Sequence, residues 1–67
     1  MIAERIGAHI TKLIEENRTR RYTIAHYLGT STQAIYSWER GHTMPREKHL
    51  AKLAKYFNVN IDYFYKE

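Results

Sequence analysis

The chain has 67 residues, no cysteine, a formal net charge of +4 and a pI near 9.6. That length carries one domain, close to the smallest size at which a hydrophobic core holds without a disulfide, a metal or a partner. Disulfides and thiolate metal sites are excluded, and the charged start "MIAERIGAHI" is neither a signal peptide nor a membrane span.

The first predicted element follows from Ile2, Ile6, Ile10, Leu13 and Ile14, whose spacing draws one apolar stripe along a helix of about four turns. "NRTRR" breaks the pattern. A second helix runs from about Arg21 to Leu28 and stops at Gly29, the residue best suited to the left-handed conformation that ends a helix. Ser31 is the expected N-cap of a third helix, Thr32 to Glu39, which Gly41 ends in the same way. Pro45 is expected in the first turn of a fourth helix, where its missing N–H costs nothing; Leu50, Leu53, Ala54 and Phe57 form its buried stripe. Asn60 caps a short fifth helix holding Ile61 and Phe64. With no strand signal, repeat or linker, the fold class is all-α, five short helices in a single domain spanning 1–67.

Helices two and three are separated by Gly29, Thr30 and Ser31 alone, so they cross steeply and closely, and Ala25 is the small side chain at the contact. Ile24, Leu28, Ile35 and Trp38 close a shared core over helix one, which makes Trp38 a core residue rather than a stacking platform. The other side of helix three carries Thr32, Gln33, Tyr36, Ser37 and Arg40. All five hydrogen-bond and none is a large aliphatic, the composition of a helix that reads base edges in a major groove. The charge is one-sided as well. Arg18 to Lys48 holds six basic residues against two acidic ones, the remainder is balanced, and no acidic residue lies between Glu16 and Glu39.

At "IAHYLGTS", Ile35, "WERG", Pro45 and "LAKLAKYFNVNIDYF", the chain resembles the lambda-repressor-like, Cro/repressor-type (XRE-like) helix-turn-helix family, from about Ile6 to Phe64. The resemblance implies a helix-turn-helix over about 21–40 that binds double-stranded DNA. Arg21 stands where the family opens helix two with a phosphate-clamping residue, usually glutamine. Thr32 and Gln33 map to the base-contacting start of helix three, with Tyr36 and Ser37 one turn on. Arg40, His42 and Thr43 map to the segment that returns to the backbone; Arg20 and Ser31 complete the expected phosphate contacts. Three departures stand out. Thr19 and Arg20 replace an apolar residue and a threonine cap, which predicts an irregular start to helix two. Thr30 replaces an apolar residue after the turn glycine. Ile14 replaces an arginine that pairs with the glutamate matching Glu39, so the partner of Glu39 is left open.

His9, His26, His42 and His49 lack metal-ligand spacing and read as surface residues, and no metal or cofactor is expected. No paired carboxylates, nucleophile–base pair or phosphate-cradling glycine loop suggests an enzyme. The aromatic-rich end is too much for so short a segment to bury alone. Either Phe57 and Phe64 pack in the core and leave the tyrosines partly exposed, or Val59, Ile61, Tyr63, Phe64 and Tyr65 form the homodimer interface, which is the expectation adopted. The reading is a cytoplasmic, bacterial or phage-encoded, sequence-specific regulator of transcription. The alternative is a helix-turn-helix used as a protein-binding module, such as an antitoxin or anti-repressor component, with a regulatory protein as partner.

Overall fold

The computed structural model describes all of residues 1–67, and its regular structure is entirely helical. The elements are α1 (Ile2–Glu16), α2 (Arg21–Leu28), α3 (Thr32–Glu39), α4 (Glu47–Phe57) and a terminal 3-10 helix (Ile61–Tyr65). The five expected elements are present; the fifth is a 3-10 helix, with Tyr63 donating to the Asn60 carbonyl at 2.9 Å, and Asn60 caps it, its side chain accepting from the Asp62 N–H at 2.9 Å. No helix is long and apolar enough to cross a membrane.

All four α-helices stop by one device. The residue after the last turn takes a left-handed conformation, donates to the carbonyl three residues back, and its successor donates to the carbonyl four residues before that left-handed residue. Arg18, Gly29, Gly41 and Asn58 hold these positions, at φ 52, 72, 76 and 57°. The longer-range bonds are Thr19 to Ile14 at 3.0 Å, Thr30 to Ala25 at 2.9 Å, His42 to Ser37 at 3.0 Å and Val59 to Ala54 at 2.9 Å. The two expected glycine stops are therefore present. Arg18 and Asn58 do the same work without glycine.

One core of thirteen buried side chains draws Ile6, Ile10, Leu13 and Ile14 from α1, Ile24, Ala25 and Leu28 from α2, Ile35 and Trp38 from α3, Leu50, Leu53 and Ala54 from α4, and Phe64. Ile2 does not join the α1 stripe: it sits at the first position of the helix and is 48% exposed. Phe57 is half-buried, its edge against the Tyr56 ring at 5.0 Å, and Tyr56 in turn meets Tyr27 of α2 at 5.1 Å. Pro45 lies outside the first turn of α4. Arg46 is the N-cap, and Pro45 precedes it, buried. Its value there is a rigid, apolar approach to the helix at the position that packs toward the fourth helical residue, Leu50. Helix α2 starts regularly at Arg21; only a side-chain cap is absent, with Arg20 extended and the Ile24 N–H reaching its carbonyl at 3.2 Å.

Helix α1 lies behind α3 at very short range. A Cβ on Gly7 would stand 2.1 Å from the Trp38 carbonyl oxygen and 2.7 Å from that of Glu39. A Cβ on Gly41 would meet the Glu4 backbone at 2.9 Å. Absence of side chains at these two points is what lets α1 seat the last turn of α3.

Candidate nucleic-acid interface

The site is built on α3. Its start is set by Ser31, extended and outside the helix, whose Oγ accepts from the Ala34 N–H at 3.1 Å. Its inner face is fixed by Ile35 and Trp38 in the core. The period of the helix then leaves Gln33 and Tyr36 exposed and Thr32 and Ser37 half-exposed on the outside. Ser37 Oγ lies 2.9 Å from Thr43 Oγ1, tying the helix to the loop that follows it. Arg40 and His42 flank that contact, both exposed. The side chains expected to meet bases, and the Arg40–Thr43 segment, form one continuous polar surface.

Arg21, from the start of α2, reaches the same place. Its Nε donates to Glu39 Oε2 at 2.6 Å and its Nη2 to Glu39 Oε1 at 2.8 Å, a two-pronged ion pair. Thr11 of α1 donates its hydroxyl to Glu39 Oε1 at 2.8 Å. This supplies the partner that the missing arginine at Ile14 left open. The carboxylate is deeply placed, 8% exposed, and the arginine side chain is 26% exposed. Burial pushes the Glu39 carboxyl upward, but the Arg21 and Thr11 hydrogen bonds and the Arg21 and Arg40 charges outweigh it and hold it below the ordinary range. The same hydrogen bond to Glu39 raises the Arg21 guanidinium further. Arg21 also lies over the Tyr36 ring, its Cζ 5.2 Å from the centroid, with the Arg40 Cζ 5.9 Å from that centroid.

Arg20, at the N-cap of α2, is exposed near this surface in sequence, as is Arg18 in its left-handed turn. At the far end of the chain the picture is mixed. Phe64 is 0% exposed and belongs to the core, which removes it from the expected interface. Val59, Ile61 and Tyr63 are half-buried and pack on that core, whereas Tyr65 is exposed. Tyr63 lies 4.9 Å from the His9 ring, and His9 Nε2 is 2.7 Å from the Lys66 carbonyl, so this end is pinned to α1.

The histidines divide. His26 and His42 are exposed as expected; His9 and His49 are half-buried and engaged. His49 packs against Trp38 at 5.2 Å with its Nδ1 buried and unpartnered. Gly7, Thr11 and the pairing of Arg21 with Glu39 are the structural supports of this surface that sequence reasoning missed. For Gly7 a signal existed: a glycine inside an otherwise strong helix costs about 1 kcal/mol and calls for a packing reason.

Two short helices joined at a glycine, the second capped by serine and polar on its outer face, define a helix-turn-helix domain. Residues 10–64 match the helix-turn-helix family, and the chain belongs to it. It is 32% identical over 66 residues to an uncharacterized transcriptional regulator in the ATPase CF(0) region of Rhodospirillum rubrum, a match covering 92% of this chain and 61% of that one. The chain therefore spans about three-fifths of the length of that relative. No solved structure matches it.

Proposed function

We propose that this chain is a sequence-specific, double-stranded-DNA-binding regulator of transcription that acts as a homodimer in the cytoplasm, most simply as a repressor on an inverted-repeat operator. The observation that carries the reading is the outer face of α3. Gln33, Tyr36 and Ser37 stand side by side with Arg40, on a helix whose inner face is locked into the core. In this reading Thr32, Gln33, Tyr36 and Ser37 meet base edges, while Arg20, Arg21, Ser31, Arg40, His42 and Thr43 meet phosphates. Specificity belongs to the first group, because phosphates carry no sequence information. Ser31 is compatible with both its roles: its oxygen accepts from Ala34 and its proton remains free to donate.

One recognition helix covers too few base pairs to single out a site in a genome, which supports a dimer. Tyr65, with the half-buried Val59, Ile61 and Tyr63, is the surface proposed for it. A twofold dimer places its recognition helices about 34 Å apart, on successive major grooves. Selection of binding sites from random duplex DNA tests the reading: the expected product is an inverted repeat with half-site centres about ten base pairs apart or a near multiple. A pool that shows no enrichment overturns it.

A further inference from the structure

The Arg21–Glu39 pair joins the buried interior to the outer face of α3. Glu39 is the last residue of α3 and turns its carboxylate inward. There it receives Thr11 from α1 and two N–H groups from Arg21 of α2. A guanidinium has five N–H donors in a rigid plane, so this pairing leaves three unused. From the carboxylate the same group extends to the exposed Tyr36 ring. One arginine thus bridges α2 and α3 and lies at the edge of the proposed DNA surface with its torsions already fixed.

An unpaired arginine on a surface samples many rotamers and loses that freedom when it meets a phosphate. An arginine held by a two-pronged carboxylate has lost it in the free protein, and binding is strengthened by the difference. We propose that Glu39, steadied by Thr11, is a positioning residue for DNA binding: it holds Arg21 against Tyr36 with three N–H donors free to meet one backbone phosphate. The inference rests on the DNA-binding reading above. It assigns a role in affinity to an acidic residue whose side chain faces inward, 8% exposed.

Its consequence runs against simple electrostatics. Glu39→Gln removes one negative charge close to a polyanion, so charge alone predicts tighter binding and a steeper salt dependence. Positioning predicts the reverse, because a neutral amide cannot present two acceptors to the guanidinium fork.

The test is the affinity for a random-sequence duplex of about 30 base pairs at low salt. It is read by fluorescence anisotropy at a temperature where circular dichroism shows every variant folded. Glu39→Gln is expected to bind about tenfold more weakly than the parent chain. In an Arg21→Ala background the same change is expected to cause no loss and to tighten binding slightly through the removed charge, since the group being positioned is gone. Thr11→Val keeps charge and volume and loosens only the Glu39 anchor; a loss of about two- to threefold is expected. Glu39→Gln binding as tightly as the parent or tighter, or losing as much without Arg21, overturns the proposal. Should Glu39→Gln fail to fold, Thr11→Val decides: unchanged affinity with lowered melting temperature makes the network purely structural. A parent chain that binds no duplex at all defeats the DNA-binding reading itself, a distinct outcome.

Discussion

Gly7 and Trp38 meet where α1 crosses α3, so closely that a Cβ on Gly7 would lie 2.1 Å from the Trp38 carbonyl oxygen. The obstructing atoms are backbone, so no side-chain rotation can relieve the clash. Gly7→Ala is expected to destabilise the fold by about 3 kcal/mol, despite the better helix propensity of alanine. Thermal unfolding measures it. A melting temperature within a degree or two of the parent would mean that the crossing opens freely and that Gly7 does not seat α3.

Arg18 offers the opposite opportunity. It holds a left-handed conformation at φ 52°, in which its Cβ crowds the backbone. Arg18→Gly is expected to stabilise the protein by about 0.5–1 kcal/mol, the relief of strain exceeding the added freedom of the unfolded chain. For a domain this small that is a rise of roughly 2–8 °C in melting temperature. Gly29→Ala, at φ 72° with open space around it, should fall by a similar amount because strain rather than crowding governs that site.

Gln33 stands exposed in the first turn of α3. Its amide can pair with adenine through two hydrogen bonds. Gln33→Ala is expected to cost about 1–3 kcal/mol per half-site on a selected operator and to relax preference at one base position. Competition binding against single-base operator variants reads this directly. Equal loss on selected and random duplexes would assign Gln33 to positioning instead.

Tyr65 tests the proposed dimer without disturbing the core. Tyr63 is held by the His9 ring and Phe64 is fully buried, so changes at either would loosen the monomer. Tyr65, 38% exposed, is free of that objection. In a twofold interface Tyr65→Glu places a carboxylate on each side of the same patch, and dimerisation should weaken by about 1–3 kcal/mol while helical content stays unchanged. Sedimentation equilibrium gives the answer; an unaltered dimer would move the interface elsewhere on the surface.

Stability should decline in two acid windows. Burial, together with the charges of Lys48, Arg46 and Lys52, holds His49 below its ordinary value of 6.5. As pH falls through 6.5 the unfolded chain takes up this proton before the folded one, so folding loses stability until the folded His49 titrates. Glu39 also titrates below its ordinary 4.5 in the folded chain, so its contribution is present above 4.5 and is lost as pH falls through the folded value. Trp38, the only tryptophan, lies 5.2 Å from His49 and reports on the first window, because an imidazolium quenches indole emission. Its fluorescence should show a transition centred below pH 6.5 that His49→Gln abolishes. A transition surviving that change belongs to another group.

The sequence by itself determined the five helices, the ends of α2 and α3 and the two faces of α3. Apolar spacing, left-handed glycines, and the Ser31 and Asn60 caps act over one or two turns, so each is written in a short run of residues. Thus Ile35 and Trp38 are buried, Gln33 is exposed, and α2 and α3 span the expected residues. Tertiary structure alone decided the rest. Arg21 and Glu39 are eighteen positions apart, and Thr11 and Glu39 twenty-eight, and no local pattern links them. Thr11 meets Glu39 because Gly7 lets the α1 and α3 backbones approach closely, and Arg21 meets it because α2 and α3 turn back on each other across Gly29–Ser31. Phe64 shows the same limit from the other side. A local pattern placed it on a short apolar turn, but only the packing of that turn onto α1 settled that it lies in the core rather than at a surface. Side-chain spacing reports which face of a helix is apolar; which neighbour covers that face is a property of the whole chain.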